Sequence, residues 1–200
     1  MKLLIAVPSG DYLHVQFVKS LTGLLRRLER DGVDYELDIH EGSLVYIARD
    51  QLACKAINEG FSHVLWLDSD MVFTEDLLED LQFSGEDFVT GICAMRRPPY
   101  TPALFSDLEK ITRMDKIPSQ STFRVAGCGF ACVLILTDIL RGVWMAYGTC
   151  FNPTEQLGED TAMCWRAAQL GFQIWAEPAV RVGHLTHIPV YPGDGERLMG

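Results

Sequence analysis

From Lys2 to Asp70 the chain alternates short apolar runs with segments of helical period, and this alternation limits the fold more than any other feature. Lys2 to Val7 reads as a buried strand. Leu13, Phe17, Leu21, Leu24, Leu25 and Leu28 then recur on one helix face, and Asp31-Gly32 supplies the stop. Tyr35, Leu37 and Ile39 alternate as a second strand. Ser43 is placed to cap a helix running to about Asn58, which Glu59-Gly60 closes. His63 to Leu67 is a third strand, ending at Asp68-Ser69-Asp70. This order predicts an α/β domain with a mostly parallel central sheet flanked by helices.

Beyond Asp70 the pattern loosens. Thr74, Glu75 and Asp76 open a helix with charges suited to its N-terminus. Phe88 to Met95 reads as a buried strand, and the Pro-rich, mixed-charge stretch Arg96 to Ile117 as an irregular excursion. Phe123 to Ala126 and Ala131 to Leu136 read as strands around a Gly127-Cys128-Gly129 bend. A helix from about Glu159 to Leu170, strands near Gln173 to Ala176 and Ala179 to Val182, and a Pro/Gly-rich tail follow. With 48% hydrophobic residues in 200, the chain suits a single domain spanning 1–200 around one substantial core.

A formal charge of −10 excludes nucleic acid as the main partner, because phosphate-backbone binding needs clustered Lys and Arg. The apolar runs are too short for a transmembrane segment, and the first lacks a cleavage pattern after it. Six cysteines without a CxxC pair suit reduced core thiols and a cytoplasmic setting. An acidic protein that binds an anionic ligand needs a local reversal of sign, which a bound cation supplies.

Asp68 and Asp70 are two apart at the end of an apolar strand. On an extended segment both carboxylates project to one side. Mg²⁺ or Mn²⁺ is commonly held by one or two carboxylates plus substrate phosphates, and ligands of open α/β sheets sit at the carboxyl ends of strands. The alternative is a polar loop whose aspartates cap the next helix. Glu159-Asp160 opens the later helix, where acids are stabilised by the helix dipole, and where a carboxylate can also remove a proton from an attacking hydroxyl. His184 and His187 follow a strand, and a neutral imidazole is a Mn²⁺ ligand.

Pro8-Ser9, Ile47-Ala48-Arg49-Asp50, Leu65-Trp66-Leu67-Asp68-Ser69-Asp70-Met71, Gly127-Cys128-Gly129-Phe130, Gly158-Glu159-Asp160 and Val182-Gly183-His184 occur in the order seen in GT-A glycosyltransferases. Over nearly its whole length the chain resembles that class, particularly family 2 transferases and fungal mannan-polymerase-like mannosyltransferases. The resemblance implies a Rossmann-like GT-A domain with a nucleotide-binding half, 1–95, and an acceptor and catalytic half, 96–200. It implies transfer from a nucleotide-sugar donor, UDP- or GDP-linked, to an acceptor hydroxyl on a carbohydrate, with Mn²⁺ or Mg²⁺ as cofactor and an inverting outcome. Pro8, Ser9, Arg49, Asp68 and Ser69 would line the nucleotide; Asp68, Asp70 and His184 would hold the metal, in preference to His187; Asp160 would be the base. Asp50 stands where these transferases usually have Asn, and His40-Glu41-Gly42-Ser43 lacks their Asp-Gly-Ser.

Two rivals remain at this level. A nucleotidyltransferase would also use acidic metal ligands, although Pro8-Ser9-Gly10-Asp11 lacks the basic Gly-rich loop of that class. A non-catalytic nucleotide- or carbohydrate-binding module is the other. Gly127 and Gly129 suit either a close approach of backbone to a sugar or a simple bend. Trp144 is the tryptophan placed best for stacking on a sugar. The short chain leaves oligomerisation open.

Overall fold

The computed structural model describes residues 1–42, 44–118, 120–186 and the backbone of 189–190. In chain order the elements are β1 (Lys2–Ser9), α1 (Val15–Arg30), β2 (Asp34–Glu41), α2 (Val45–Asn58), β3 (His63–Leu67), β4 (Met71–Val72), α3 (Leu77–Gln82), β5 (Phe88–Cys93), β6 (Leu104–Asp107), β7 (Thr112–Arg113), β8 (Phe123–Val125), β9 (Gly127–Cys128), β10 (Cys132–Leu136), α4 (Thr137–Tyr147), α5 (Glu159–Gln169), β11 (Ile174–Leu185) and β12 (Pro189–Val190). Ser43, proposed above as a cap, His187 and the Pro/Gly-rich tail lie outside the described residues. The helix that Ser43 precedes forms, with Leu44 at its N-cap.

The central sheet runs β12-β11-β5-β10-β3-β1-β2, with β4 and β8 also paired to β11. It is mixed. β1 is parallel to both β2 and β3, and β11 is parallel to β5, as the alternating pattern requires. β10 enters from the carboxyl end of β3, with Cys132 opposite Leu67, and so lies antiparallel to β3 and β5. Both faces are covered, which is why β1 and β3 read as unbroken apolar runs. Leu4, Ala6, Val64 and Trp66 pack toward Leu52, Ala53 and Ala56 of α2 and Leu140 and Val143 of α4. Leu3, Ile5, Leu65 and Leu67 point to the other side, against Phe17, Leu21 and Leu24 of α1 and Leu77 and Leu81 of α3. β2 lies at the edge, where Glu36 and Asp38 pair with Lys55, a charged finish that discourages strand addition.

Several elements differ from the sequence reading. α3 begins at Leu77, after a turn in which the Leu77 N–H donates to the Thr74 carbonyl. α4 was not anticipated; Ile139, Leu140 and Val143 give it a buried face, and Gly148, with φ of 71°, ends it. The two late strands are one, β11, whose register slips between Glu177 and Arg181 around Pro178, where a bulge tolerates the missing N–H. The excursion after Arg96 contains β6 and β7, which join β9 in a small second sheet. Gly127-Cys128 is therefore a paired strand rather than a hairpin bend. Among the described residues no helix is long and apolar enough to cross a membrane.

Candidate active site

Ala6 stands opposite Trp66, so Pro8 and Ser9 at the end of β1 come out level with Asp68 at the end of β3. Both are buried, and the Ser9 hydroxyl donates locally to the Gly10 carbonyl at 3.0 Å. After β3 the chain turns at once: the Asp68 N–H donates to the Ala131 carbonyl, and the Asp68 carbonyl accepts from Met71 at 3.2 Å. Asp68 and Asp70 thus flank a turn, not an extended segment, and their carboxylates take different partners.

Asp68 faces Arg49. The buried stripe of α2 is Ala48, Arg49, Leu52, Ala53 and Ala56, so helical spacing carries an arginine into the interior. Its side chain is 2% exposed. One nitrogen, Nη2, donates to Asp68 at 2.8 Å; the other, Nη1, donates to Glu159 at 3.2 Å and to Asp160. The guanidinium rests 5.8 Å over the Phe130 ring and 5.9 Å over Phe151, so its faces meet aromatic quadrupoles while its edge meets carboxylates. Burial alone would lower its pKa; Asp160, Asp68 and Glu159 more than reverse this, and it stays charged. Asp160, in the first turn of α5 behind Gly158, is pushed up by burial, pulled down by Arg49, pushed up again by Asp68 and Glu159, and lowered by the Phe130 N–H; the balance is about 6. That value is close to neutral, where proton acceptors work well.

Asp50, beside Arg49, has a separate duty. It accepts from the Cys150 N–H at 2.8 Å, the Phe151 N–H at 2.7 Å and the Thr149 hydroxyl. Three donors converge on an acceptor-only carboxylate; an asparagine amide would offer one oxygen and two unwanted donors. The departure from Asn therefore anchors the loop that places Phe151 beneath Arg49.

Asp70 belongs to the other end of the site. β4 pairs antiparallel to β11 with Met71 opposite His184, and the Leu185 N–H donates to the Asp70 carbonyl at 2.8 Å. This short ladder brings His184 Nε2 to 3.5 Å from Asp70 Oδ2. His184 Nδ1 lies 2.8 Å from the Ala94 carbonyl, which fixes the proton on Nδ1 and leaves the lone pair on Nε2. Burial lowers its pKa, the Ala94 carbonyl raises it and Arg96 lowers it, so the ring is held neutral near pH 7. Arg96 fills the gap: Nε donates to His184 Nε2 at 2.6 Å, and Nη2 pairs with Asp70 Oδ2. Asp70 Oδ1 is buried without a hydrogen-bond partner.

Asp68, Glu159, Asp160 and His184 line one cleft of about 330 Å³, together with Gly129 and Phe130. At Gly129 an added Cβ would stand 3.7 Å from Asp160 Oδ2, so the missing side chain leaves the carboxylate accessible. Sequence reasoning missed Glu159 as a partner of Arg49, and Arg96 altogether; both act across long sequence separations that no local pattern records. Trp144 packs partly buried against the core. Trp165, on α5, borders a larger neighbouring cleft of about 430 Å³ with Glu109 and Gln156, and Gln156 lines both clefts.

No protein-family model matches the chain, and no curated protein does. Solved structures do. A197 from STIV aligns over 97% of this chain and 95% of its own, with TM-score 0.66 and 16% identity. GalNAc-T7, crystallised with UDP, GalNAc and Mn²⁺, aligns over 92% of this chain but 44% of its own, with TM-score 0.59 and 10% identity. The catalytic domain of Drosophila beta1,4galactosyltransferase 7, in complex with xylobiose, aligns over 88% and 64%, with TM-score 0.52 and 14% identity. The fold is GT-A glycosyltransferase-like. At these identities the likeness concerns fold alone.

Among the described residues no three His, Cys, Asp or Glu side chains converge into an all-protein metal cage. The donors present nonetheless suit a hard divalent cation that takes its remaining ligands from phosphate: the Asp70 carboxylate, whose Oδ1 has no partner, and the His184 Nε2 lone pair 3.5 Å from its Oδ2.

Proposed function

We propose that the protein is a metal-dependent glycosyltransferase that moves a sugar from a nucleoside-diphosphate sugar to an acceptor hydroxyl, on a carbohydrate. The observation that carries this reading is the convergence, in one cleft of a GT-A-like fold, of Asp68, His184 and an Asp160 whose pKa is raised to about 6. Asp70 and His184 would hold Mn²⁺ or Mg²⁺, with Asp68 on the ribose and metal side. A cation held there would supply positive charge against which the negative charge of a leaving nucleoside diphosphate could be stabilised. Pro8, Ser9 and Ser69 border the nucleotide. Asp160 takes the proton of the acceptor hydroxyl as its oxygen bonds to the anomeric carbon and the bond to the diphosphate breaks; attack from the face opposite that diphosphate gives inversion.

Arg49 is a positioning residue in this scheme. Its guanidinium is buried, so it acts on the nucleotide through Asp68 and on the acceptor through Asp160. By pulling the Asp160 pKa down against burial, it keeps the base ionised at neutral pH.

The test pairs binding with turnover. UDP- and GDP-sugars are screened for thermal stabilisation with and without Mn²⁺. A donor at about 100 times its Kd stabilises by about 2.7 kcal/mol, or about 5–10 °C for a domain of this size. Asp70→Asn is expected to lose the Mn²⁺-dependent shift and the transfer together. Full metal-dependent transfer by that variant would refute the assignment.

A further inference from the structure

The donor atoms assigned to the metal are already engaged by a cation belonging to the chain. Arg96 presents Nη2 to Asp70 Oδ2 and Nε to His184 Nε2, so one planar fork spans the carboxylate oxygen and the imidazole lone pair. The same two atoms lie 3.5 Å apart and have no room to hold a guanidinium and a divalent ion together.

The two partners differ in mobility. Asp70 is 7% exposed and His184 is tied by Nδ1 to the Ala94 carbonyl. The Arg96 side chain is 57% exposed. The backbone just before Arg96 is held, because Ala94 bridges Pro102 and the Met95 N–H donates to the Thr101 carbonyl at 2.9 Å. Only the side chain needs to move, and it moves from a half-solvated position into water.

We propose that Arg96 is a resident cation that competes with the divalent metal for Asp70 and His184, and that the metal enters by exchange with its guanidinium. The inference rests on the reading of Asp70 and His184 as metal donors. It gives the acidic cleft a positive partner before the metal arrives, and it sets the metal affinity through the fraction of molecules in which Arg96 has swung clear. It also offers a guanidinium, once released, at the rim where an anionic diphosphate approaches.

Mn²⁺ titration of the nucleotide-free protein by calorimetry tests this directly, without turnover. Arg96→Ala removes the competitor and is expected to bind Mn²⁺ about tenfold more tightly than the wild type, the scale of a half-exposed charge-assisted fork. Arg96→Lys keeps a cation on the same arm and is expected to stay close to the wild type. Unchanged or weaker binding by Arg96→Ala, with the wild type and Asp70→Asn still differing, would overturn the exchange while leaving the metal site intact. Absence of Mn²⁺ binding by all three Arg96 forms, both in the nucleotide-free titration and in a repeat with UDP or GDP present, would remove the metal donors and the exchange together. Because Arg96 is exposed, both substitutions are compatible with folding, which a melting curve verifies.

Discussion

Arg49→Met removes a buried cation from among three acids while keeping most of its volume. At an effective dielectric of about 20, unit charges about 4 Å apart interact by about 4 kcal/mol. Arg49 has three such partners, with Asp68 at 2.8 Å and Glu159 at 3.2 Å, and loses part of the gain to its own desolvation at 2% exposure. Taking one member from a buried ion pair typically costs about 3–5 kcal/mol. The variant should fall in that range and depend on pH. In the wild type the Asp160 pKa is about 6, already above the unfolded value. Its linkage therefore lowers stability as pH rises to about 6 and adds nothing further beyond it. Without Arg49 the folded pKa climbs higher, so the variant goes on losing up to about 1.4 kcal/mol per pH unit above 6 while the wild type does not. Urea denaturation at pH 5.5 and pH 8 measures the gap. We expect a deficit of about 3 kcal/mol at the lower pH and about 5 kcal/mol at the higher, the latter moving the midpoint by roughly 2 M for a slope of about 2.5 kcal/mol/M. A deficit below about 1 kcal/mol, or one that does not change with pH, would refute the electrostatic account of Arg49.

Asp160→Asn should keep donor binding and lose transfer, and the wild-type kcat/KM should fall as pH drops through about 6, where Asp160 takes up its proton. A flat profile between pH 5 and 7 would count against Asp160 as the base. Asp50→Ala strips three donors of their acceptor and should lower stability by about 2–4 kcal/mol. Chemical denaturation reads this loss, and a change under about 0.5 kcal/mol would mean that water replaces the carboxylate.

The first half of the fold was legible because its signals are local. β1, α1, β2 and β3 each carry their own period, and both faces of the sheet are buried, so apolar runs and strands coincide. The placement of Pro8, Asp68 and Asp160 at the ends of elements was readable for the same reason, because each element end is marked locally. The direction of β10 was not, since an apolar run has no polarity and only the path before it decides which way it enters. α4 carried a readable signal in Ile139, Leu140, Val143 and Tyr147 before Gly148, in a stretch to which the sequence reading assigned no element. The links that assemble the site were hidden for a deeper reason. Arg49 meets Asp160 across 111 positions and Arg96 meets His184 across 88, and neither partner announces the other.

The insertion of β10 between β3 and β5 bears on how such a chain emerges from a ribosome. The strand carrying Asp68 has its neighbour β1 early, but its other edge stays open until Leu136 has been made, and the ladder that seats Asp70 waits for Leu185. A nascent fragment ending near residue 95 would present one bare edge of β3 and, with β10 and β11 both still to be made, a β5 segment without a partner on either side. A chain severed at that boundary would therefore carry an incomplete sheet whose open strand edges invite association with other chains.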